Sequence, residues 1–336
     1  MKLNRYVEVY IVLLCFSLLS CAAAAQDITQ FQQKQPNGVM RYTQPIMSAD
    51  KTRGDSLVFN PTVIQVGNQL AMIYRRNGGG TLGSRCQLAF SDDGRKFVPY
   101  AGNPVLVPDR PYDYYGCEDP RVVRFDGVYY LTYGGNWGHG YTCQCLATSA
   151  DLVHWEKKGV VLEPPPWGPQ QAKAGVIVPE KMNGKYIMYF IGQKIAWHPS
   201  IGMATSDDLN HWTALDHPLM QARPDHFDSL GVECGATPIV LPEGILLIYN
   251  GWNPAHVHKT GWVLFSKDDP SKVLKRCEAP FIEPQFKYEI DGRHVFTFTE
   301  GALFFKGLWR FYYGAADKWI GLAEIDDIEK LLNAKP

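Results

Sequence analysis

Six residues carry most of the chemistry open to this chain: Asn60, Glu118, Asp119, Lys173, Glu233 and Glu300. They are far apart in sequence, yet they hold a common register. A tyrosine recurs near the end of an aromatic strand at Tyr74, Tyr133, Tyr189, Tyr249 and Tyr313. Fourteen residues before the first four stand Asn60, Asp119, Gly175 and Gly235, and thirteen before the last stands Glu300. Glu118, Lys173 and Glu233 lie within two residues of that register. Any one of these acids alone reads as a solvated turn residue; their shared register argues for a common site. Carboxylates facing one another across a pocket have their pKa values pushed apart, so that one serves as an acid and another as a base. Glycoside hydrolysis requires that pairing. Trp137, Trp197, Trp252 and Trp319 supply flat faces that either stack on a sugar ring or fill the core.

The register implies a repeat that brings these positions together. Ser-x-Asp recurs at Ser91, Ser149, Ser206 and Ser266, intervals of 57 to 60 residues, with a degenerate fifth copy at Ile325-Asp326-Asp327. Two copies extend into nearly the same phrase, Ala147 to Trp155 and Ala204 to Trp212. Each copy also holds a hairpin turn, such as Phe125-Asp126-Gly127 or Met182-Asn183-Gly184. Gly and Asn accept the positive φ of such turns, and the flanking β-branched and aromatic residues favour strands. Five units of three or four short strands predict an all-β chain folded as a five-bladed β-propeller over residues 55–336. Only Ile325 to Leu332 reads as helix. The innermost strands of a propeller converge on its axis, so the six polar residues would share one pocket.

The quoted residues resemble glycoside hydrolase family 130. The resemblance rests on Gly116-Cys117-Glu118-Asp119-Pro120-Arg121-Val122, Phe59-Asn60-Pro61 with Tyr74-Arg75, and Val178-Pro179-Glu180-Lys181. It continues through Asp269 to Leu274 and Tyr312-Tyr313-Gly314-Ala315-Ala316-Asp317, and spans roughly residues 55 to 325. It implies a five-bladed propeller acting on β-mannosides with inversion, either a phosphorylase or a hydrolase. It implies Asp119 as the general acid, in the phosphorylases through a substrate hydroxyl. Asn60, Arg75, Arg121 and Asp317 would hold the innermost sugar, with Glu118, Lys173 and Asn250 beside them.

Departures from the phosphorylases favour the hydrolase. Blade three reads Tyr189-Phe190-Ile191-Gly192 without the phosphate-binding Arg, and blade four has Asn250 in place of a His. Glu233 and Glu300 stand where the phosphorylases tend to have neutral residues. Carboxylates repel phosphate but can deprotonate water. Either acid is a candidate base, and Glu300 is favoured because it shares the register of Asp119. The alternatives are a phosphate-dependent β-mannoside phosphorylase, a non-catalytic glycan-binding surface lipoprotein, and a related five-bladed furanosidase or xylosidase.

The partner expected is an oligosaccharide or glycan, with no cofactor and no metal. His256-x-His258 is a weak metal signal that reads better as a solvated loop. Lys+Arg numbers 33 and Asp+Glu 34, a balance that argues against a nucleic-acid partner. Residues 1–20 read as a signal peptide, with Lys2 and Arg5 ahead of the apolar run Val9 to Leu19. Leu18-Leu19-Ser20-Cys21 resembles a lipobox, which makes Cys21 the lipidated N-terminus of an exported protein; cleavage after Ala22 to Ala25 is the alternative. Membrane contact would then run only through that anchor, and residues 21–54 would tether and latch the ring. Cys143 and Cys145 should share a strand face, and the six cysteines beyond the leader read as small buried residues.

Overall fold

The computed structural model describes residues 32–50, 52, 56–77, 83–138, 141–292 and 294–333. The signal segment 1–20 and Cys21 lie outside them. Five antiparallel sheets follow one another along the chain. Blade one comprises Leu57–Val66, Gln69–Asn77, Arg85–Ser91 and Val98–Pro99. Blade two comprises Gly116–Phe125, Val128–Gly138, Tyr141–Ser149 and Glu156–Leu162. Blade three runs from Gln171–Ile177 to Thr213–Ala214, and blade four from Gly231–Cys234 to Val273–Arg276. The last blade takes Thr297–Phe305, Leu308–Ala315 and Trp319–Ile325 from the end of the chain. Its two outer strands, Met40–Tyr42 and Gln32–Lys34, come from the beginning. Residues 32–42 therefore belong to the fifth sheet itself. The strand through Ile325 also displaces the helix read over Ile325 to Leu332, which shrinks to the single turn Glu329–Leu332.

The repeated phrase is a turn between the third and fourth strands of blades two and three. In blade two the Ser149 hydroxyl accepts from the Leu152 amide at 2.9 Å, Asp151 accepts from Val153 and His154, and the Trp155 indole donates to the Leu152 carbonyl. Blade three repeats every contact with Ser206, Leu209, Asp208 and Trp212. Both leucines sit at φ 67.

The recurring tyrosines are all buried, and three of them anchor a loop before their own blade. Tyr133 donates to Asp113, Tyr249 to Asp228 and Tyr313 to Glu289. Each of these acids also meets a cation: Lys157, Arg276 with Arg223, and Arg41. A buried carboxylate needs such pairing because its desolvation is otherwise uncompensated. The Arg41 pair joins the N-terminal strand to the loop before blade five. All six described cysteines are free thiols, and Cys143 Sγ lies 3.6 Å from Cys145 Sγ on one strand.

Candidate active site

The innermost strands share one irregularity, and it builds the site. Pairing with the second strand slips between Phe59 and Pro61, Glu118 and Arg121, Lys173 and Val176, and Thr299 and Gly301. Blade four instead breaks its inner strand between Cys234 and Ile239. Asn60 and Asp119 sit at φ 49 and Ala174 at φ 55. Asn and Asp tolerate this left-handed conformation better than other non-glycine residues. A bulge of this kind re-aims a side chain that regular pleating would send elsewhere. At Gly175 and Gly235 the backbone itself packs close. A Cβ there would come within 2.6 Å of Gln144 Oε1 and 2.5 Å of the Thr299 carbonyl, respectively.

A cavity of about 540 Å³ opens at this end of the axis, within the range of small-molecule sites. Asn60, Arg75, Asp119, Lys173, Glu233 and Asp317 all line it. Asp119 is the hub. It accepts from Asn60 Nδ2 at 2.8 Å and from Arg75 Nη1 at 3.0 Å, and Lys173 Nζ lies 3.9 Å from its other oxygen. Burial pushes its carboxyl up, but Arg75, Lys173 and Arg121 together hold it below the usual carboxylate range. Lys173 also meets Glu233 Oε1 at 3.0 Å. Burial opposes the ammonium's charge, but Glu233 and Asp119 hold it above its ordinary value. Burial also lifts Asp317, with Arg75 pulling against it.

Four residues expected in the site stand behind its wall. Glu118 accepts from Arg75 at 2.7 Å and from Asn136 at 3.2 Å, fixing the guanidinium that faces Asp119. Arg121, whose side chain is 1% exposed, donates to the carbonyls of Asp119, Cys234 and Gly235. Asn250 does not reach the cavity. It is fully buried, donates to the Thr299 carbonyl, and accepts from the Thr299 amide and the Thr260 hydroxyl, so it ties blade four to blade five. Glu300 is also fully buried, 2.9 Å from Arg121. It lies at the bulge between Thr299 and Gly301, and burial raises its carboxyl well above the ordinary value.

Trp197 and Trp252 line the cavity, whereas Trp137 and Trp319 lie outside it. His258 is a wall residue, not part of a solvated loop. It is packed between Trp252 and Phe296, its Nδ1 lies 3.0 Å from the His256 carbonyl, and burial lowers its pKa to about 3. Phe296, Phe298, His294, Gln171 and Gln193 also line it. The tyrosine spacing picks one position per blade and so passes over these neighbours on the same strands and their connecting loops. Among the described residues, no cluster of three or more His, Cys, Asp or Glu could hold a metal ion.

Acids gathered around one end of a five-bladed propeller's axis supply the paired carboxylates that glycoside cleavage requires. The profile of glycoside hydrolase family 130, described as beta-1,4-mannooligosaccharide phosphorylase, matches residues 26–335. The chain belongs to that family. It is 36% identical to the 1,2-beta-oligomannan phosphorylase of Thermoanaerobacter sp. over 81% of this chain and 91% of that protein. A solved glycosyl hydrolase from Bacteroides ovatus is 29% identical, with TM-score 0.77, covering 88% of this chain and 93% of that one. A further structure, also 29% identical, has TM-score 0.74 and covers 87% of this chain and 93% of that one. It comes from work stating that the GH130 family of mannoside phosphorylases contains glycoside hydrolases that target β-1,2 mannosidic linkages in Candida mannan.

Proposed function

We propose that the protein is an inverting hydrolase of β-linked mannosides, with β-1,2 linkages its first candidates. One observation carries this reading: the charge lining the cavity. Among the described residues, Asp119, Glu233 and Asp317 face Arg75 and Lys173, and both cations are already committed to acids. Among the described residues, a phosphate dianion entering there would meet three carboxylates and no uncommitted permanent cation. Water carries no such penalty.

Glu233 is the better base. It lines the cavity, whereas Glu300 is sealed behind it. Lys173 bridges Glu233 and Asp119, so the bridged oxygens are no more than about 7 Å apart. That bound also admits the roughly 5–5.5 Å of a retaining pair, so inversion rests on the resemblance to the family and not on this distance. Glu233 would take a proton from a water as the water's oxygen bonds to the anomeric carbon, and the bond to the leaving sugar would break as its oxygen takes a proton from Asp119, directly or through a sugar hydroxyl. The free protein holds Asp119 ionised. Its donor role therefore requires sugar binding to raise it, by expelling water and drawing the Arg75 hydrogen bonds onto sugar hydroxyls.

A second reading, phosphorolysis, is favoured by the named activity of the 36% identical relative. Product analysis on β-1,2-, β-1,3- and β-1,4-linked mannosides, with and without inorganic phosphate, separates the two. The hydrolase reading expects free mannose at a rate indifferent to phosphate. Mannose 1-phosphate, formed only when phosphate is present, would replace it with phosphorolysis. We also propose export and anchoring through Cys21, supported by the lipobox-like Leu18-Leu19-Ser20-Cys21.

A further inference from the structure

We propose that blade two carries an outer glycan-binding platform, built from Trp137 near the end of its second strand, Tyr141 at the start of its third, and Tyr115 and Tyr114 just before its first. This rests on the β-mannoside reading of the cavity and adds that the natural ligand is a chain extending beyond it. All four rings are large and solvent-facing, at 49%, 42%, 52% and 68% exposure. They are also adjacent. Trp137 and Tyr141 have ring centroids 5.4 Å apart at 31°, and Tyr114 and Tyr115 are 5.1 Å apart, edge to face. The backbone is arranged to gather them. Strand pairing slips between Asn136 and Gly138, leaving Trp137 as the bulged residue. Gly138 sits at φ +103, and a Cβ there would lie 2.5 Å from the Tyr115 ring. Any other residue would push Tyr115 off the hairpin.

The platform is continuous with the cavity. Thr142, next to Tyr141, lines the cavity wall, and Asn136, next to Trp137, holds Glu118 behind Arg75. The Tyr115 amide donates to the Asn136 carbonyl at 2.8 Å, so all four rings stand a few residues beyond Asp119, towards the open end of the axis. The equivalent hairpin of blade three places Trp197 in the cavity itself. Exposed aromatic clusters of this size mark binding surfaces. Rings with an apolar face and a polar edge suit a ligand that is apolar on its ring faces and hydroxylated at its rim. A pyranose leaving the cavity past Thr142 meets those requirements.

The test compares a β-1,2-linked mannobiose with the corresponding hexaose. Binding is measured by calorimetry in a Glu233→Gln background, so that neither ligand is consumed. Turnover of the disaccharide by the wild-type enzyme is followed separately. The hexaose should bind about tenfold more tightly than the disaccharide, and Trp137→Ala with Tyr141→Ala should remove most of that gain. Trp137→Phe, which keeps a ring, should retain more of it. Equal binding of both ligands, or a chain-length gain that survives the double change, overturns the platform. So does sedimentation showing that the double change instead breaks a dimer. A chain-length gain that depends on Trp137, with no release of free mannose from the disaccharide by the wild type, upholds the platform and overturns the hydrolase reading.

Discussion

At the scale of single residues, the two candidate bases make opposite predictions. Glu233→Gln keeps shape but removes basicity at the cavity wall, so kcat should fall about 10²-fold or more while substrate still binds. Azide, which needs no deprotonation, should partly restore turnover and give the α-mannosyl azide. Asp119→Asn should cost about 10²–10⁴ in turnover without azide rescue. Glu300→Gln should lose less than about tenfold, because its carboxyl meets Arg121 behind the cavity and not the substrate. Its signature lies in stability. Burial lifts the folded-state carboxyl well above the unfolded value near 4.3. The folded chain therefore binds the extra proton between those values, and stability falls as pH rises through that window. Neither Glu300 oxygen has a well-aligned hydrogen-bond partner. Glu300→Gln should accordingly gain more in denaturant midpoint over the wild type at pH 8 than at pH 4. A 10²-fold kinetic loss in Glu300→Gln, with Glu233→Gln active, would return the base to Glu300.

At the scale of elements, register was legible and direction was not. The tyrosine spacing located Asn60, Asp119 and Glu300 because a propeller repeats its strand geometry blade by blade. The same spacing could not say that the blade-five bulge aims Glu300 at Arg121 while Glu233, two residues off register, reaches the cavity. That depends on the local backbone: blade five bulges between Thr299 and Gly301, whereas Glu233 sits in regular pairing opposite Asn250 just before its strand breaks off at Cys234. Asn250 shows the same limit: it stands near the axis in sequence, but Thr260 and Thr299 consume its amide. The acids under the tyrosines were invisible because they sit in loops of unequal length. They matter to the latch. Arg41 is buried against Glu289, donates to the Glu283 carbonyl at 3.0 Å, and stacks near Phe286 and Tyr313. Arg41→Ala should cost about 3–5 kcal/mol in a denaturant titration, since it strands a buried carboxylate. A loss below about 1 kcal/mol would mean that Glu289 is protonated or hydrated in the fold and that the latch does not depend on the pair.

At the scale of the whole molecule, the ring closes by joining the two ends of the chain, and that bears on where it works. Met40–Tyr42 is hydrogen-bonded to Trp319–Ile325, and Tyr42 donates to Glu324 at 2.8 Å. The N-terminal strands are therefore pinned to the outer edge of blade five, while the cavity opens at one end of the axis. Ten residues separate Cys21 from Gln32, the first described strand residue. Fully extended, that length of chain reaches roughly 35–40 Å. A lipid on Cys21 would hold the propeller within about one domain diameter of the membrane, with the tether attached at the blade rim and clear of the mouth. Anchoring and catalysis should then separate. Cys21→Ser should move the protein from the membrane fraction to the soluble fraction and abolish acyl labelling. Its kcat/KM on a soluble mannoside should stay within about twofold of wild type, since no contact to the cavity is altered. If the variant still fractionates with membranes and incorporates labelled fatty acid, the lipobox reading is wrong. Cleavage after the Ala22 to Ala25 tract would then predict a freely soluble protein whose N-terminus, read by sequencing, lies beyond Cys21.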